Sequence, residues 1–398
     1  MVLKKYFNSY EKDLFVGLIV SLVTNEKIDN LEINEEVLKE VISYAKFHSV
    51  EYLVLKSLEF NGIILNDKLK KMKTLLLHKC AAQMSELDNI KYTLNKFKIN
   101  HLPLKGSIIR TFYDDEACRE MADLDILVPK NEMKTMKRIM TKELGYDVGV
   151  MGGNNPHDSY MKKPFMEVEI HRKLMVDSSK VSSYLLKSWD RATSVREGSF
   201  TYVLSNEDFY IYNIMHNVKH FSKGGTGVRI FIDLYYSFKK NSYDMNYINQ
   251  ELKEFGLDKY NERLISITNK LFNNSDLDND ELFLLDYIIN CGTYGTVEND
   301  IVGNVLVNNQ EDDNLNKNKR KYLWNRLFPP YKVMKDRNPS LIKFPILLPW
   351  FWFTRLIKGM FSFKTYSTQA SRINTVNNKD LERRKKIKEI TDIDPYDW

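Results

Sequence analysis

The sequence predicts an α+β protein in which a small mixed β-sheet core lies between helical regions. Three observations support this. Apolar residues recur at helical spacing up to about Phe97; short apolar runs alternating with turns take over from Lys98; and helical spacing returns after Leu174. The implied divisions are a helical N-terminal region (1–98), an α/β core (99–175), a helical domain closing a cleft (176–305), and a linker with a basic C-terminal arm (306–398).

Leu14, Leu18, Val20 and Leu22 mark a first apolar segment, and Leu38, Val41, Ile42 and Ala45 a second. Leu76, Cys80, Met84 and Leu87 then repeat at helical spacing along a stretch with few breakers. In the core, Ile99 to Leu104 reads as a strand ending at Lys105-Gly106, with Ser107 capping a helix that runs to Tyr113. Leu124 to Val128 reads as a strand stopped by Pro129. Asn131 then caps a helix carrying Met133, Met136, Ile139, Met140 and Leu144, which Gly145 ends. Tyr146 to Val150 begins a further strand, and Ser159–Lys163 and Phe165–His171 form two more about a tight connection. Helices follow over Tyr184–Trp189, Asn206–Phe221 and Val228–Lys239. The Gly224–Gly227 turn follows a helix, so it reads as a helix connection and not as a phosphate loop. Residues 308–321 are polar and read as a mobile linker.

Composition narrows the class. Hydrophobic residues are 43% and charged residues 28% of 398, too apolar for global disorder. Cys80, Cys118 and Cys291 are far apart with no CxxC pair, which excludes a disulfide scaffold or a cysteine zinc site and fits a reducing compartment. The apolar run Leu14–Val23 is interrupted on approach by Glu11 and Asp13 and lacks a cleavage site, so a buried first helix is expected in place of a signal peptide. The net charge of +6 is uneven: residues 317–398 hold 19 Lys/Arg against 7 Asp/Glu. That basicity is local, and nucleic acid is not the expected partner.

The chemistry concentrates in Asp123-Leu124-Asp125 and Glu167-Val168-Glu169-Ile170-His171. On strands, side chains alternate faces, so Asp123 and Asp125 share one face while Leu124 and Ile126 share the other; Glu167, Glu169 and His171 likewise point together. Carboxylates this close repel unless a cation compensates them, and a pair of Mg2+ ions would do so. Upstream, Gly106 permits close backbone approach, the helix start at Ser107 suits phosphate, and Lys105 adds a cation. Arg119 either joins that cation set or pairs with Asp114, Asp115 or Glu120. A phosphate cradle beside metal carboxylates is the machinery of phosphoryl or nucleotidyl transfer.

A Gly-Ser turn and helix, a strand with Asp-x-Asp, and a third acid on a later strand resemble the polymerase-β-like nucleotidyltransferase superfamily. LPLKGSIIRTFY, ACREMADLDILV, MEVEIHRKL and HNVKHFSKGGTGVRIFIDL are together similar to an uncharacterised bacterial nucleotidyltransferase family found in polysaccharide and natural-product gene neighbourhoods. The resemblance implies that Asp123 and Asp125 bind two Mg2+ ions (Mn2+ as substitute) and that Glu169 binds the catalytic one. Gly106 and Ser107 would hold the triphosphate, with Lys105 and Arg119 neutralising it, and Glu169 or Glu167 would serve as base. Many superfamily members carry Asp at the third position, so the third ligand stays open between Glu169 and Glu167.

His216 and His220 lie four apart on one helix, followed by Arg229 and Asp233. They read as a buried polar network or, with His171, as cleft residues that recognise nucleotide or acceptor. The expected reaction moves a nucleoside monophosphate from a nucleoside triphosphate to a hydroxyl of a sugar, glycan or natural-product intermediate. The alternatives are a toxin-like enzyme modifying protein or tRNA, and an inactive nucleotide-binding module. The expected location is cytoplasmic. The segment Phe344–Phe353, broken by two prolines, admits interdomain packing or a peripheral contact of the arm with the inner face of a membrane. Neutral amides at Asp123 and Asp125 together would be expected to relieve repulsion.

Overall fold

Short polar side chains at the helix starts set the frame. In the computed structural model, which describes residues 1–152, 155–175, 180–293, 295–296, 299, 315–338, 340–360, 373 and 376–393, Ser9, Asn34 and Asn66 accept backbone N–H groups at the starts of α1 (Tyr10–Thr24), α2 (Glu35–Phe47) and α4 (Asp67–Lys96). Between α2 and α4 lies α3 (Glu51–Phe60). Asp13 is buried, but its carboxylate accepts the N–H groups of Tyr6 and Phe7 at 2.7 and 3.0 Å.

The core sheet has five strands: β1 (Leu102–Pro103), β2 (Leu124–Leu127), β3 (Asp147–Val148), β4 (His157–Lys162) and β5 (Met166–His171), in the order β1-β2-β5-β4-β3. Only the central β2–β5 pair is parallel. Its register sets Leu124 against Val168, Asp125 against Glu169, and Ile126 against Ile170. Strand alternation then divides the two faces. Leu124, Ile126, Val168 and Ile170 are fully buried in an apolar cluster with Leu87, Ile90 and Leu94 of α4 and Met136 of α6 (Met133–Arg138). The acids are left on the opposite face.

Several strands and helices are shorter than the sequence predicts. Pairing on β1 stops at Pro103, and His101 forms an isolated bridge to Thr201 instead. The helix predicted to follow a Ser107 cap begins two residues earlier, as α5 (Gly106–Ile109), and tightens into a 3-10 turn over Arg110–Phe112. Ser107 is therefore inside the first turn and caps nothing; its N–H returns to the Leu104 carbonyl at 3.2 Å. The helix expected to run to Leu144 changes to a π turn at Ile139–Glu143.

Two small helices, α7 (Ser182–Leu185) and α8 (Ser188–Arg191), lead to a two-stranded ribbon of β6 (Thr193–Ser194) and β7 (Tyr202–Val203) that sequence periodicity does not reveal. Helices α9 (Asn206–Lys223), α10 (Arg229–Lys240), α11 (Met245–Glu254), α12 (Asp258–Phe272) and α13 (Asn279–Ile289) follow. They share one continuous apolar cluster with α1 and α3, which also takes in Leu102, Leu104 and Ile109 beside the sheet. The C-terminal part contains α14 (Leu315–Leu327), α15 (Tyr331–Arg337), α16 (Ser340–Lys343), α17 (Leu348–Met360) and α18 (Asn378–Thr391). Residues 315–321, read from sequence as linker, are helical; 308–314 lie outside the described residues.

Candidate active site

The acidic face of the sheet forms one wall of a cavity of about 330 Å³, and α9 and α10 form the other. Asp123 and Asp125 on one side and Glu169 on the other bring carboxylate oxygens within 4.8 Å of one another. Glu167 does not line this cavity, so the geometry singles out Glu169 as the third acid of the cluster. The antiparallel β4–β5 register adds His157 opposite His171. His157 Nε2 lies 3.1 Å from Glu169 Oε1, and His171 Nε2 lies 2.7 Å from Asp125 Oδ1 and 3.3 Å from Glu169 Oε2.

The two aspartates have opposite electrostatics. Burial and the neighbouring Asp125 push the Asp123 carboxyl up to about 6, with Glu169 adding to the rise and Lys105 opposing it. Burial also opposes ionisation of Asp125, but Lys105 and His171 outweigh it and hold that carboxyl well below the usual carboxylate range. Lys105 Nζ donates to Asp125 Oδ1 at 2.6 Å. Burial works against a charged His171, yet its bonds to Asp125 and Glu169 raise its pKa above the ordinary histidine value.

Lys105 stands before α5 with φ +48°, an uncommon conformation for a residue with a side chain. The Leu104 N–H donates to the Asp125 carbonyl at 3.0 Å, which ties this turn to β2. At Gly106 a Cβ would fall 2.5 Å from Met121 Sδ, so close approach explains the glycine. The Ser107 hydroxyl is buried without a hydrogen-bond partner among the described residues.

Arg119 lines the cavity, and its guanidinium donates to both carboxylate oxygens of Asp233 on α10, at 2.7 and 3.0 Å. Asp233 is thus a partner beyond the nearby acids Asp114, Asp115 and Glu120, and the Glu120 carbonyl accepts from Arg119 at 2.8 Å and from Arg229 at 3.0 Å. His216, His220, Arg229 and Asp233 all line the cavity. Burial, with Lys105 nearby, pushes the pKa of His216 well below the ordinary value, which favours the neutral ring, and that ring lies 4.7 Å from that of His220.

Two further side chains support the aspartate strand. Buried Arg110 donates to the Arg119 carbonyl at 2.9 and 3.1 Å and to Gln83 Oε1 at 3.2 Å; Gln83 in turn donates to the Met121 carbonyl at 3.1 Å. These bonds hold residues 119–121, just before the Asp-x-Asp pair. In sequence, Arg110 sits on an apolar helix and looks like a surface charge.

The donor set fits a divalent ion. Three carboxylates suit Mg2+, and a second group (His157, Glu169 and His171) adds imidazole nitrogens, which Mn2+ accepts more readily. The crowding that raises Asp123 is what a cation would relieve.

A mixed five-stranded sheet carrying three convergent acids beside a Lys-Gly turn defines a polymerase-β-like nucleotidyltransferase core embedded in helices. The chain belongs to a family described as uncharacterised nucleotidyltransferase, whose model matches residues 34–273. No curated protein and no solved structure matches the chain. Family membership and the acid cluster together support nucleotidyltransferase activity.

Proposed function

We propose that this enzyme transfers a nucleoside monophosphate from a nucleoside triphosphate to a hydroxyl of a small acceptor such as a sugar or natural-product intermediate. The observation that carries this reading is the parallel register that sets Asp125 against Glu169, with Asp123 beside them and the Lys105-Gly106 turn at the cavity edge. Asp123, Asp125 and Glu169 would hold Mg2+ or Mn2+, which supplies charge neutralisation for the triphosphate and the leaving group.

The remaining roles belong to side chains. Gly106 lets the chain approach the triphosphate closely, and Lys105 brings positive charge to its oxygens. The acceptor oxygen forms a bond to the α-phosphorus as the bond from that phosphorus to the β-bridging oxygen breaks, releasing pyrophosphate. Glu169, flanked by His157 and His171, takes the acceptor proton. Neutral His216, with His220 and Arg229, recognises the acceptor or base from the helical wall. Arg119 acts on this wall through Asp233 and orients α10 against the strand.

The test incubates the full chain with each α-labelled triphosphate, a divalent ion and a mixture of phosphorylated and free sugars. Label should move to an acceptor in wild type and not in Asp125→Asn. Absence of binding to all four triphosphates in calorimetry, with Mg2+ and with Mn2+, would overturn the reading.

A further inference from the structure

Helices α14–α17 bury Tyr322, Met334 and Leu341 but leave many of their other large apolar residues on the outside. Ile346, Trp350, Phe353 and Ile357 follow one another at intervals of four, three and four residues, so they form one stripe along α17 and the turn before it. All four are exposed: Ile346 is 87%, Trp350 60% and Phe353 54% accessible. The opposite side of α17 is the packed one. Trp352 donates from its indole N–H to the Pro329 carbonyl at 2.9 Å and meets the Phe328 ring edge-on at 5.6 Å. Trp324 and Ile342, on α14 and α16, are also exposed. A soluble helix buries its apolar stripe, so this arrangement marks a docking surface.

Charge identifies the occupant. Residues 315–360 hold eleven Lys/Arg and a single acid, Asp336. Exposed Arg320, Lys332 and Lys343 lie on α14, α15 and α16, the helices that lead up to the apolar stripe. A second copy of this arm would bring like charge against like. Nucleic acid would use the cations and aromatic rings but leaves no role for Ile342, Ile346 and Ile357. A surface with anionic headgroups above acyl chains uses both sets, and Trp and Phe favour that boundary. No helix among the described residues is long and apolar enough to cross a membrane, so the contact lies along the surface.

We propose that α14–α17 dock the enzyme on an anionic lipid surface, with the Ile346–Ile357 stripe inserted among the acyl chains. The test is flotation of the full chain with phosphatidylcholine vesicles and with vesicles that also contain phosphatidylserine, read together with tryptophan emission. Wild type should float with the anionic vesicles, with blue-shifted emission, and added salt should weaken the association. Trp350→Ser/Phe353→Ser should lower vesicle affinity roughly tenfold or more with unchanged melting temperature. Lys332→Glu/Lys343→Glu should weaken binding to anionic vesicles only. Failure of wild type to float with either vesicle would overturn the proposal. So would equal flotation of both variants, a wild-type dimer abolished by Trp350→Ser/Phe353→Ser, or tighter retention on polyuridylate than on anionic vesicles.

Discussion

Arg119 grips Asp233 at two points, at 2.7 and 3.0 Å, joining the loop before β2 to the wall helix α10. Tyr113 adds a hydroxyl to the same carboxylate at 2.6 Å. Both charged groups are largely buried, so removing one strands the other. Arg119→Ala should cost about 3–5 kcal/mol in urea denaturation. Arg119→Lys keeps the charge without the fork and should fall between the two. A loss below about 1 kcal/mol for Arg119→Ala would place the pair among weak surface bridges.

Asp123, just before β2, and Asp125 within it should respond oppositely to amidation in the metal-free protein. The sequence treats them as one repelling pair; the structure separates them. Asp123→Asn removes a carboxylate crowded by Asp125 and Glu169, and should raise the metal-free melting temperature by a few degrees. Asp125→Asn takes the counter-charge from Lys105 and His171 and should lose about 3 kcal/mol. Both variants should lose transfer activity and the thermal shift that Mg2+ or Mn2+ produces. Calorimetric scans with and without metal read both effects, and shifts of the same sign in the metal-free pair would contradict the assignment.

Gly106 is constrained by space, since its φ is not in the left-handed region. Gly106→Ala would press on Met121 Sδ at 2.5 Å and Cγ at 2.9 Å, two residues before Asp123. The expected outcome is a stability loss of about 1–3 kcal/mol and a larger fall in kcat/KM. Adding Met121→Ala makes room, so the double variant should recover part of the loss. Strict additivity in that cycle would show that the clash is not the cause.

His48 supplies a pH dependence that does not involve the acids. Its Nδ1 accepts the Val228 N–H at 3.2 Å, while Nε2 donates to the Ile289 carbonyl at 2.9 Å, so the folded ring must be neutral. Burial pushes its pKa down to about 4, against the bond to Ile289 and with help from Arg229. Above pH 6.5 both states are neutral and the contribution is complete. As pH falls from 6.5 towards 4, the unfolded chain takes a proton that the folded chain refuses, and stability drops by about 3 kcal/mol in all. His48→Gln should flatten that part of the stability–pH curve, and an unchanged curve would remove His48 as its source.

The sequence made the acids legible because strand alternation is a local rule: an apolar partner between two aspartates fixes their common face. It left Glu169 and Glu167 unresolved because both face the same way along β5, and only the offset against β2 chooses between them. His157 was within reach. A hairpin turning at Lys163–Phe165 sets it opposite His171, but the strand signal starts only at Ser159. The Arg119–Asp233 pair spans 114 positions, and Arg110 is buried by tertiary packing alone; neither leaves a local trace. The ribbon of β6 and β7, two residues per strand, is too short for any period to register.

The apolar cluster that joins α1 and α3 to α9–α13 also reaches Leu102, Leu104 and Ile109 on either side of the Lys105-Gly106 turn. The sheet's own apolar face packs in a separate cluster with α4 and α6, so the apolar packing of the wall helices reaches the sheet through Leu102, Leu104, Ile109 and Leu127. For the proposed transfer, the acceptor would meet a cavity pinned to the helical wall at the edge of the sheet that carries the Lys105-Gly106 turn.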